Sequence, residues 1–238
     1  MSTRPRILIV EDEEVIANGL RFNFEAEGYD PVVRSDGPTS LAYLDEHPQD
    51  VSLVILDLML PGMSGYEICR AIRDRDQRLP IIVLSARTLS EDKSHAFDCG
   101  TDQYVTKPFA LPELLSRVRN LLKRRRQVDQ IYESSQRDDY SFGDVSVNFR
   151  TFEVMRGTER SSLTTMELQL LRYFIEHEGA VLSRTQILND VWDQGADVTS
   201  RTIDNFVMRL RKYLEQDPGN PRHLLSVRGT GYRFVAKP

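Results

Sequence analysis

Residues 53–62 read Leu-Val-Ile-Leu-Asp-Leu-Met-Leu-Pro-Gly, which is the most informative segment in the first half of the chain. Four apolar residues, two of them β-branched, precede Asp57, and a Pro-Gly pair follows shortly after it. The pattern predicts a buried strand that ends in an acidic loop. Ligands of open parallel α/β sheets bind outside the carboxyl ends of the strands, where Asp57 is expected to lie. Taken alone, Asp57 fits an ordinary strand-end carboxylate equally well.

The segments on either side of this strand repeat its arrangement. Short apolar runs at 6–10, 31–33, 81–85 and 103–108 are each followed by a predicted helix, which is polar after 81–85 and has apolar residues at helical spacing after the other three. Five strands thus alternate with five helices, which is typical of a parallel sheet covered on both faces. For residues 1–122 we therefore predict an α/β, doubly wound, flavodoxin-like fold with a five-stranded parallel sheet.

Polar side chains stand at the ends of four of these strands. Glu11 and Asp12 follow the first, Asp57 the third and Lys107 the fifth, while Ser85 ends the fourth. Because the carboxyl ends of parallel strands meet at one edge, we expect these side chains to lie together. Three carboxylates repel one another without a cation, and oxygen-only donors favour Mg²⁺. A lysine and a hydroxyl beside them suit the oxygens of a phosphoryl group, with Asp57 as its acceptor.

This half resembles the receiver domain of two-component response regulators over its whole length. The resemblance is carried by the acidic pair, Leu-Asp-Leu-Met-Leu-Pro-Gly at 56–62, Leu-Ser-Ala at 84–86 and Tyr-Val-Thr-Lys-Pro-Phe at 104–109. It implies that Asp57 accepts phosphate from the phosphohistidine of a sensor histidine kinase. The implied magnesium ligands are Glu11, Asp12, Asp57 and the backbone carbonyl of Met59.

The resemblance also implies how the phosphorylated state is read. Ser85 and Lys107 would bind the phosphoryl oxygens, and Tyr104 would change rotamer with Ser85. The Lys107–Pro108 bond would be cis, which X-Pro pairs adopt at low cost. Met59 and Arg87 occupy positions that modulate dephosphorylation in this family.

Charge and composition divide the chain into two functional parts. Residues 1–122 hold 13 Lys and Arg against 20 Asp and Glu, a net charge of −7, whereas the remainder has 18 against 16, a net charge of +2. The charged and Ser/Gln-rich stretch 123–139 is predicted to be a linker, formed by the solvated end of the last helix and a short flexible tether. No apolar run approaches the roughly 20 residues that span a bilayer, so we expect a cytoplasmic protein without a membrane partner. Cys69 and Cys99 are expected to be buried thiols.

Residues 140–238 predict a different, α+β domain. Short apolar patches of period two precede two capping boxes, at 164–167 and 183–186, and a third helix is predicted near 199–215. A glycine-containing hairpin at 223–234 completes the outline of a winged helix-turn-helix. Polar residues gather on the third helix opposite its apolar face, and Arg228 lies in the hairpin. The candidate DNA contacts are Arg201, Asn205, Met208, Arg209, Arg211, Lys212 and Arg228.

This half resembles the winged-helix effector domain of the OmpR/PhoB class. Its motifs are the Leu-Thr-x-x-Glu start, Arg-Thr-Ile-Asp with Arg-Leu-Arg-Lys, and the Arg-Gly-Thr-Gly-Tyr-Arg-Phe wing. The resemblance implies that the loop Trp192–Val198 contacts RNA polymerase. Met208 departs from the basic residue of some members, so a base preference is not transferred.

The resemblance further implies a homodimer that forms on phosphorylation, through the fourth helix, fifth strand and fifth helix of the receiver. Lys93 with Glu113 and Asp102 with Arg117 are the candidate ion pairs across this interface. Gln103 stands where Asp is frequent, which leaves one expected pair open.

We expect a phosphorylation-switched transcriptional regulator that binds tandem sites on double-stranded DNA about one helical turn apart. No enzymatic activity on external substrates is expected beyond Mg²⁺-dependent phosphorylation and dephosphorylation of Asp57. Two alternatives remain open. One is a DNA-binding protein with a constitutive, phosphorylation-independent receiver dimer. The other is a phosphatase or hydrolase that uses Asp57 as its nucleophile.

Overall fold

A computed structural model describes residues 4–134, 139–192 and 200–238 of the chain. The chain forms two compact units, Met1–Arg125 and Arg126–Pro238. Each unit has its own sheets and its own apolar core. No helix within the described ranges carries a stretch that is long and apolar enough to cross a bilayer.

The first unit is built on a parallel five-stranded sheet in the order β2-β1-β3-β4-β5. Its strands are β1 (Arg6–Val10), β2 (Asp30–Arg34), β3 (Val51–Asp57), β4 (Ile81–Ser85) and β5 (Gln103–Thr106). The helices are α1 (Glu14–Ala26), α2 (Gly37–Glu46), α3 (Gly65–Arg75), α4 (Ser90–Asp98) and α5 (Leu111–Ser134). This topology confirms the predicted doubly wound, flavodoxin-like fold.

The central strand β3 ends where α3 begins, and a glycine makes this close approach possible. Residues 53–56 are almost wholly buried, because the sheet is covered on both faces. A Cβ on Gly65 would lie 2.3 Å from the backbone oxygen of Asp57. Ser64 and Glu67 form a capping box at the start of α3. The start of α3 thereby fixes the backbone that carries Asp57.

Helix α5 is longer than the apolar periodicity predicted. It continues into the expected linker, 123–139, and ends at Ser134. The boundary between the two units falls inside this helix. The stretch 110–134 contains no glycine. Its one proline, Pro112, lies in the first turn of the helix, where proline is tolerated. The charged residues that suggested a tether are also good helix formers, which explains the difference.

The second unit contains two antiparallel sheets and three helices. The first sheet follows chain order through β6 (Asp139–Phe142), β7 (Val145–Asn148), β8 (Glu153–Arg156) and β9 (Glu159–Ser162). The helices are α6 (Thr165–Glu176), α7 (Arg184–Trp192) and α8 (Ser200–Leu214). The second sheet, ordered β10-β12-β11, consists of β10 (Leu182–Ser183), β11 (Leu224–Val227) and β12 (Gly231–Phe234). These elements confirm the predicted α+β winged helix-turn-helix.

Two local features set the position of the terminal hairpin, β11 and β12. The buried carboxylate of Glu215, just after α8, accepts hydrogen bonds from the backbone N–H groups of Arg222, His223 and Leu224 at 2.8–2.9 Å. A Cβ on Gly231 would lie 2.0 Å from the backbone oxygen of Leu182, so β12 approaches β10 at a distance that only glycine permits. Helix α8 and the hairpin are therefore held as one unit.

Candidate functional site

The carboxyl ends of β1 and β3 bring three carboxylates together. One ligand oxygen from each of Glu11, Asp12 and Asp57 lies within 4.8 Å of the others. Glu11 and Asp57 are buried and Asp12 is exposed, so the cluster opens to solvent on one side. The strand ends thus meet as the parallel sheet requires.

Lys107, which follows β5, supplies the cation closest to this cluster. Its Nζ lies 2.6 Å from Asp57 Oδ2 and 2.8 Å from Glu11 Oε2. The other Asp57 oxygen, Oδ1, accepts a hydrogen bond from the backbone N–H of Met59 at 2.8 Å. The peptide bond between Lys107 and Pro108 is cis, as the sequence motif implied.

The charges of the site act on one another at short range. Burial raises the pKa of Glu11, although its hydrogen bond with Lys107 opposes this shift. Burial opposes the charged form of Lys107, but the hydrogen bonds to Asp57 and Glu11 outweigh it and raise the pKa of Lys107. Three carboxylates against one ammonium leave two negative charges in a partly buried site. Oxygen donors with this excess charge fit a hard divalent cation such as Mg²⁺.

Ser85 and Tyr104 meet at the backbone of Arg87. Leu84 pairs with Asp57 in the sheet, so Ser85 lies one residue further along the same edge. The fully buried Ser85 accepts a hydrogen bond on Oγ from the Arg87 N–H at 3.1 Å. The hydroxyl of buried Tyr104 donates to the Arg87 carbonyl oxygen at 2.8 Å. Burial raises the pKa of Tyr104 to about 12, so this hydroxyl keeps its proton at neutral pH.

The side chain of Arg87 forms contacts that the sequence did not predict. Its Nη1 donates to Asp92 Oδ1 of α4 at 2.9 Å, and its Nε lies 3.3 Å from Met59 Sδ. The Tyr66 hydroxyl of α3 lies 3.5 Å from both the backbone oxygen and Oδ1 of Asp92. No periodicity or motif links these four positions, and only the folded loop after β4 brings them together.

Of the four residues predicted for a dimer interface, Asp102 lies elsewhere. Its carboxylate is fully buried, 2.8 Å from Arg73 Nη2, and it accepts the backbone N–H of Ile81 at 2.8 Å. It therefore holds the start of β4 inside the receiver. The buried ion pair with Arg73 does not favour the predicted pair of Asp102 with Arg117 across an interface.

The other three candidates lie on the face formed by α4, β5 and α5. Arg117 donates to Gln103 Oε1 at 2.9 Å and forms an ion pair with Glu113 of its own helix at 2.5 Å. The ammonium of Lys93 lies 5.7 Å from the ring centre of Tyr104. Gln103 thus replaces the frequent Asp as a partner of Arg117 within the same chain.

The recognition helix α8 has a polar stripe on the side opposite its core. Ile203, Phe206 and Leu210 are fully buried. Spacings of four, three and four residues separate the stripe residues, which places them on one face. The stripe consists of Arg201, Asn205, Met208 and Lys212; Arg201, Met208 and Lys212 are exposed and Asn205 is half-buried.

The flanking residues Arg209 and Arg211 contact the effector domain itself, contrary to the prediction that they face DNA. Arg209 lies 3.1 Å from Glu167 of α6 and stacks over the Phe206 ring at 4.3 Å. Arg211 donates to the backbone oxygen of Leu224 from Nε and Nη2, at 2.9 and 2.7 Å. Both positions are turned about 70–90° from the centre of the stripe, so neighbouring elements cover them.

The two remaining predicted sites are the hairpin contact at Arg228 and the polymerase loop Trp192–Val198. Arg228 is exposed at the tip of the terminal hairpin. Residues 193–198 of the predicted polymerase loop lie outside the described residues. Trp192 belongs to α7 and is buried against Phe206, with ring centres 5.0 Å apart, so it does not present its side chain in a loop.

Two family models match the two halves of this chain. The model described as "Response regulator receiver domain" matches residues 7–119, and the one described as "Transcriptional regulatory protein, C terminal" matches residues 157–234. The first match contains every residue of the acidic site, and the second contains α6, α7, α8 and the terminal hairpin.

Full-length relatives share this domain arrangement. The sensory transduction protein RegX3 of Mycolicibacterium smegmatis is 40% identical over 230 residues, covering 96% of this chain and 98% of the relative. The DNA-binding response regulator MtrA of the same organism is 38% identical, covering 97% and 96%. The crystal structure of DrrB, an OmpR/PhoB homologue from Thermotoga maritima, is 30% identical with a TM-score of 0.51, covering 98% and 100%. The chain therefore belongs to the OmpR/PhoB class of response regulators, which are phosphorylation-switched, DNA-binding regulators of transcription.

Proposed function

We propose that Asp57 is the phosphoryl acceptor and that a sensor histidine kinase is the donor. An Asp57 oxygen attacks the phosphorus of the phosphohistidine, the P–N bond breaks, and the histidine leaves with its electron pair. The observation that carries this proposal is the position of Lys107, whose ammonium lies 2.6 Å from Asp57. From this position Lys107 can stabilise the negative charge on the transferred phosphoryl oxygens. The Ser85 hydroxyl at the same edge can donate a further hydrogen bond to them.

The residues present fit a bound Mg²⁺. Glu11, Asp12 and Asp57 would hold it, together with the backbone carbonyl of Met59. When bound, the ion supplies positive charge that offsets the carboxylates and the incoming phosphoryl group. The chain's own groups then orient the acceptor: the Met59 N–H fixes one Asp57 oxygen and Lys107 contacts the other.

The switch that follows phosphorylation is proposed to run through Ser85 and Tyr104. A phosphoryl group on Asp57 attracts the Ser85 hydroxyl, and both residues already share the Arg87 backbone. A shift of Ser85 thus moves the backbone that holds the Tyr104 hydroxyl. Tyr104 lies in β5, next to the face formed by α4 and α5.

That face is proposed to form a homodimer when Asp57 is phosphorylated. Lys93 and Glu113 are the charge pair that supports this proposal, and Arg117 joins it through Glu113. A dimer places two recognition helices on tandem sites of double-stranded DNA about one helical turn apart. The alternative is a constitutive, phosphorylation-independent receiver dimer. The complete acidic site with Lys107 argues against it, whereas Gln103, which holds Arg117 within its own chain, leaves the strength of the dimer open.

DNA contacts are proposed for the exposed stripe and for the hairpin. Arg201 and Lys212 would contact phosphates, while Asn205 and Met208 would face base edges in the major groove. Arg228 at the hairpin tip would contact the minor groove or the backbone. Arg209 and Arg211 hold the domain together in this assignment. A contact with RNA polymerase is proposed for the segment after Trp192, and the site of action is proposed to be the cytoplasm.

The proposal is tested by incubating the protein with Mg²⁺ and acetyl phosphate, with Asp57→Asn as the matched variant. Intact mass reports phosphorylation, and light scattering after size exclusion reports assembly. A phosphoryl mass gain with dimerisation in the wild type alone supports the whole scheme. Absence of the mass gain refutes the acceptor assignment, and phosphorylation of a protein that stays monomeric with and without DNA refutes the dimer. A dimer that forms without phosphate favours the constitutive alternative.

A further inference from the structure

The guanidinium of Arg87 lies at the rim of the acidic site, where a carboxylate of another element holds it. Asp92 in the first turn of α4 accepts from Arg87 at 2.9 Å. On its other side the guanidinium reaches Met59, whose N–H is bonded to Asp57. Arg87 is thus a positively charged side chain at the rim of the acidic site, and its charge is paired with the carboxylate of Asp92.

The two members of this ion pair are fixed to different degrees. The side chain of Asp92 is 18% exposed and lies near the Tyr66 hydroxyl, whereas that of Arg87 is 45% exposed. An ion pair with this exposure is weak, because water screens the two charges. A phosphoryl group carries a charge of about −1.5 to −2 and three strong acceptor oxygens, so it can compete with Asp92 for the guanidinium.

We propose that Asp92 is a positioning residue for the reaction at Asp57, because it holds the Arg87 guanidinium away from the phosphoryl group. This inference rests on the proposed phosphorylation of Asp57. Dephosphorylation requires a water oxygen to attack phosphorus while the P–O bond to Asp57 breaks and the carboxylate leaves, which releases inorganic phosphate. A guanidinium bound to the phosphoryl oxygens stabilises the phosphorylated protein and obstructs this attack. Asp92 therefore shortens the lifetime of the phosphoryl group.

The same competition couples the site to α4. When Arg87 turns to the phosphoryl group, Asp92 loses its partner, and the first turn of α4 loses its side-chain contact with the site. This turn has no side-chain N-cap, since Leu89 occupies that position. The contact between Arg87 and Asp92 thus joins the start of this helix to the rim.

The test compares the phosphoryl lifetime of wild type, Asp92→Asn, Asp92→Glu, Arg87→Gln and the double variant Arg87→Gln/Asp92→Asn. Each protein is phosphorylated with acetyl phosphate and Mg²⁺, the donor is removed, and intact mass follows the decay. We expect Asp92→Asn to lengthen the half-life about three- to five-fold, which corresponds to the strength of an exposed ion pair. Asp92→Glu keeps the carboxylate and should retain the wild-type lifetime. Asp92→Asn should have no effect when Arg87 is already replaced.

An unchanged or shorter half-life in Asp92→Asn overturns the inference, as does a lengthening that persists in the Arg87→Gln background. Thermal unfolding of every variant separates these outcomes from loss of folding. If Asp92→Asn does not fold, Asp92→Ser takes its place in the same comparison. A wild type that gains no phosphate refutes the proposed acceptor and this inference together. A wild type that is phosphorylated while Asp92→Asn decays at the wild-type rate refutes this inference alone.

Discussion

Arg209 forms an ion pair with Glu167 across the effector domain, 3.1 Å apart, with 12% of the Arg209 side chain and 2% of the Glu167 side chain exposed. Glu167 also closes the capping box of α6. Its buried carboxylate therefore has two polar partners, the backbone N–H of Thr164 and the guanidinium of Arg209. The pair therefore ties the recognition helix to the first helix of the domain.

Replacing Arg209 with Ala should unfold this domain more easily, because a buried carboxylate then lacks its cation. We expect the free energy of unfolding to fall by about 2–4 kcal/mol. Urea denaturation followed by the fluorescence of Trp192, the single tryptophan of the chain, measures this change within the same domain. Arg201→Ala, on the exposed stripe of the same helix, should shift the transition by less than about 0.5 kcal/mol. Equal destabilisation by both variants would contradict the assignment of Arg209 to the fold.

Arg201→Ala and Lys212→Ala should weaken DNA binding without weakening the fold. Each variant removes one proposed phosphate contact, so the slope of log K against log salt concentration should fall by about one unit per residue. Fluorescence anisotropy with a labelled duplex at several salt concentrations measures this slope. Arg172→Ala removes the same charge from a half-buried position on α6 and serves as the control. A slope that changes equally in the control would show that net charge alone is responsible.

Mg²⁺ should raise the free energy of unfolding of the receiver domain, by an amount that grows with the logarithm of the ratio of its concentration to its dissociation constant. A ligand at ten times its dissociation constant adds about 1.4 kcal/mol to the free energy of unfolding. Asp12→Asn removes an exposed carboxylate of the cluster, so the variant should need at least about ten times more Mg²⁺ for the same stabilisation. Thermal unfolding with increasing Mg²⁺, reversed by a chelator, measures both effects. Glu14→Gln, an equally exposed residue at the start of α1, should behave as wild type.

Two glycine-to-alanine substitutions should have opposite effects on the receiver. Gly65→Ala places a Cβ 2.3 Å from the backbone oxygen of Asp57 and 2.6 Å from Leu58 Cα, so β3 and α3 must move apart. We expect a loss of stability of about 2 kcal/mol and slower phosphorylation. Gly19→Ala lies in α1 with no atom within 4 Å of the new Cβ, and it should add about 0.5–1 kcal/mol. Circular dichroism during thermal unfolding measures both, and stabilisation by Gly65→Ala would refute the close approach.

The sequence predicted the layers of both domains because they follow from periodicity. Apolar runs gave the five parallel strands, and convergence of their carboxyl ends placed Glu11, Asp57 and Lys107 together. Helical spacing also identified the core face of α8. It did not identify what flanks that face, because an angle around a helix does not say which neighbour lies there. Arg209 and Arg211 were assigned to DNA for this reason.

Individual side-chain contacts were the second feature that the sequence did not predict. Asp92 is separated from Arg87 by a loop without a repeating pattern, and its carboxylate could not be paired with that side chain from spacing. The charged stretch after Leu122 predicted a solvated helix end followed by a tether, but charge alone does not show at which residue the helix ends. Charged side chains are well solvated in a flexible tether, but Lys, Arg and Gln also have high helix propensity. In this stretch the helix continues as far as Ser134.

The buried pair of Arg73 and Asp102 has a consequence for how this protein can diverge. Arg73 also donates to the backbone oxygens of Gly100 and Leu79, at 2.8 and 2.6 Å, so the carboxylate and the loop ends depend on one side chain. A descendant that lost either partner alone would keep a buried charge without its counterion. The two positions should therefore change together, as an apolar pair or not at all.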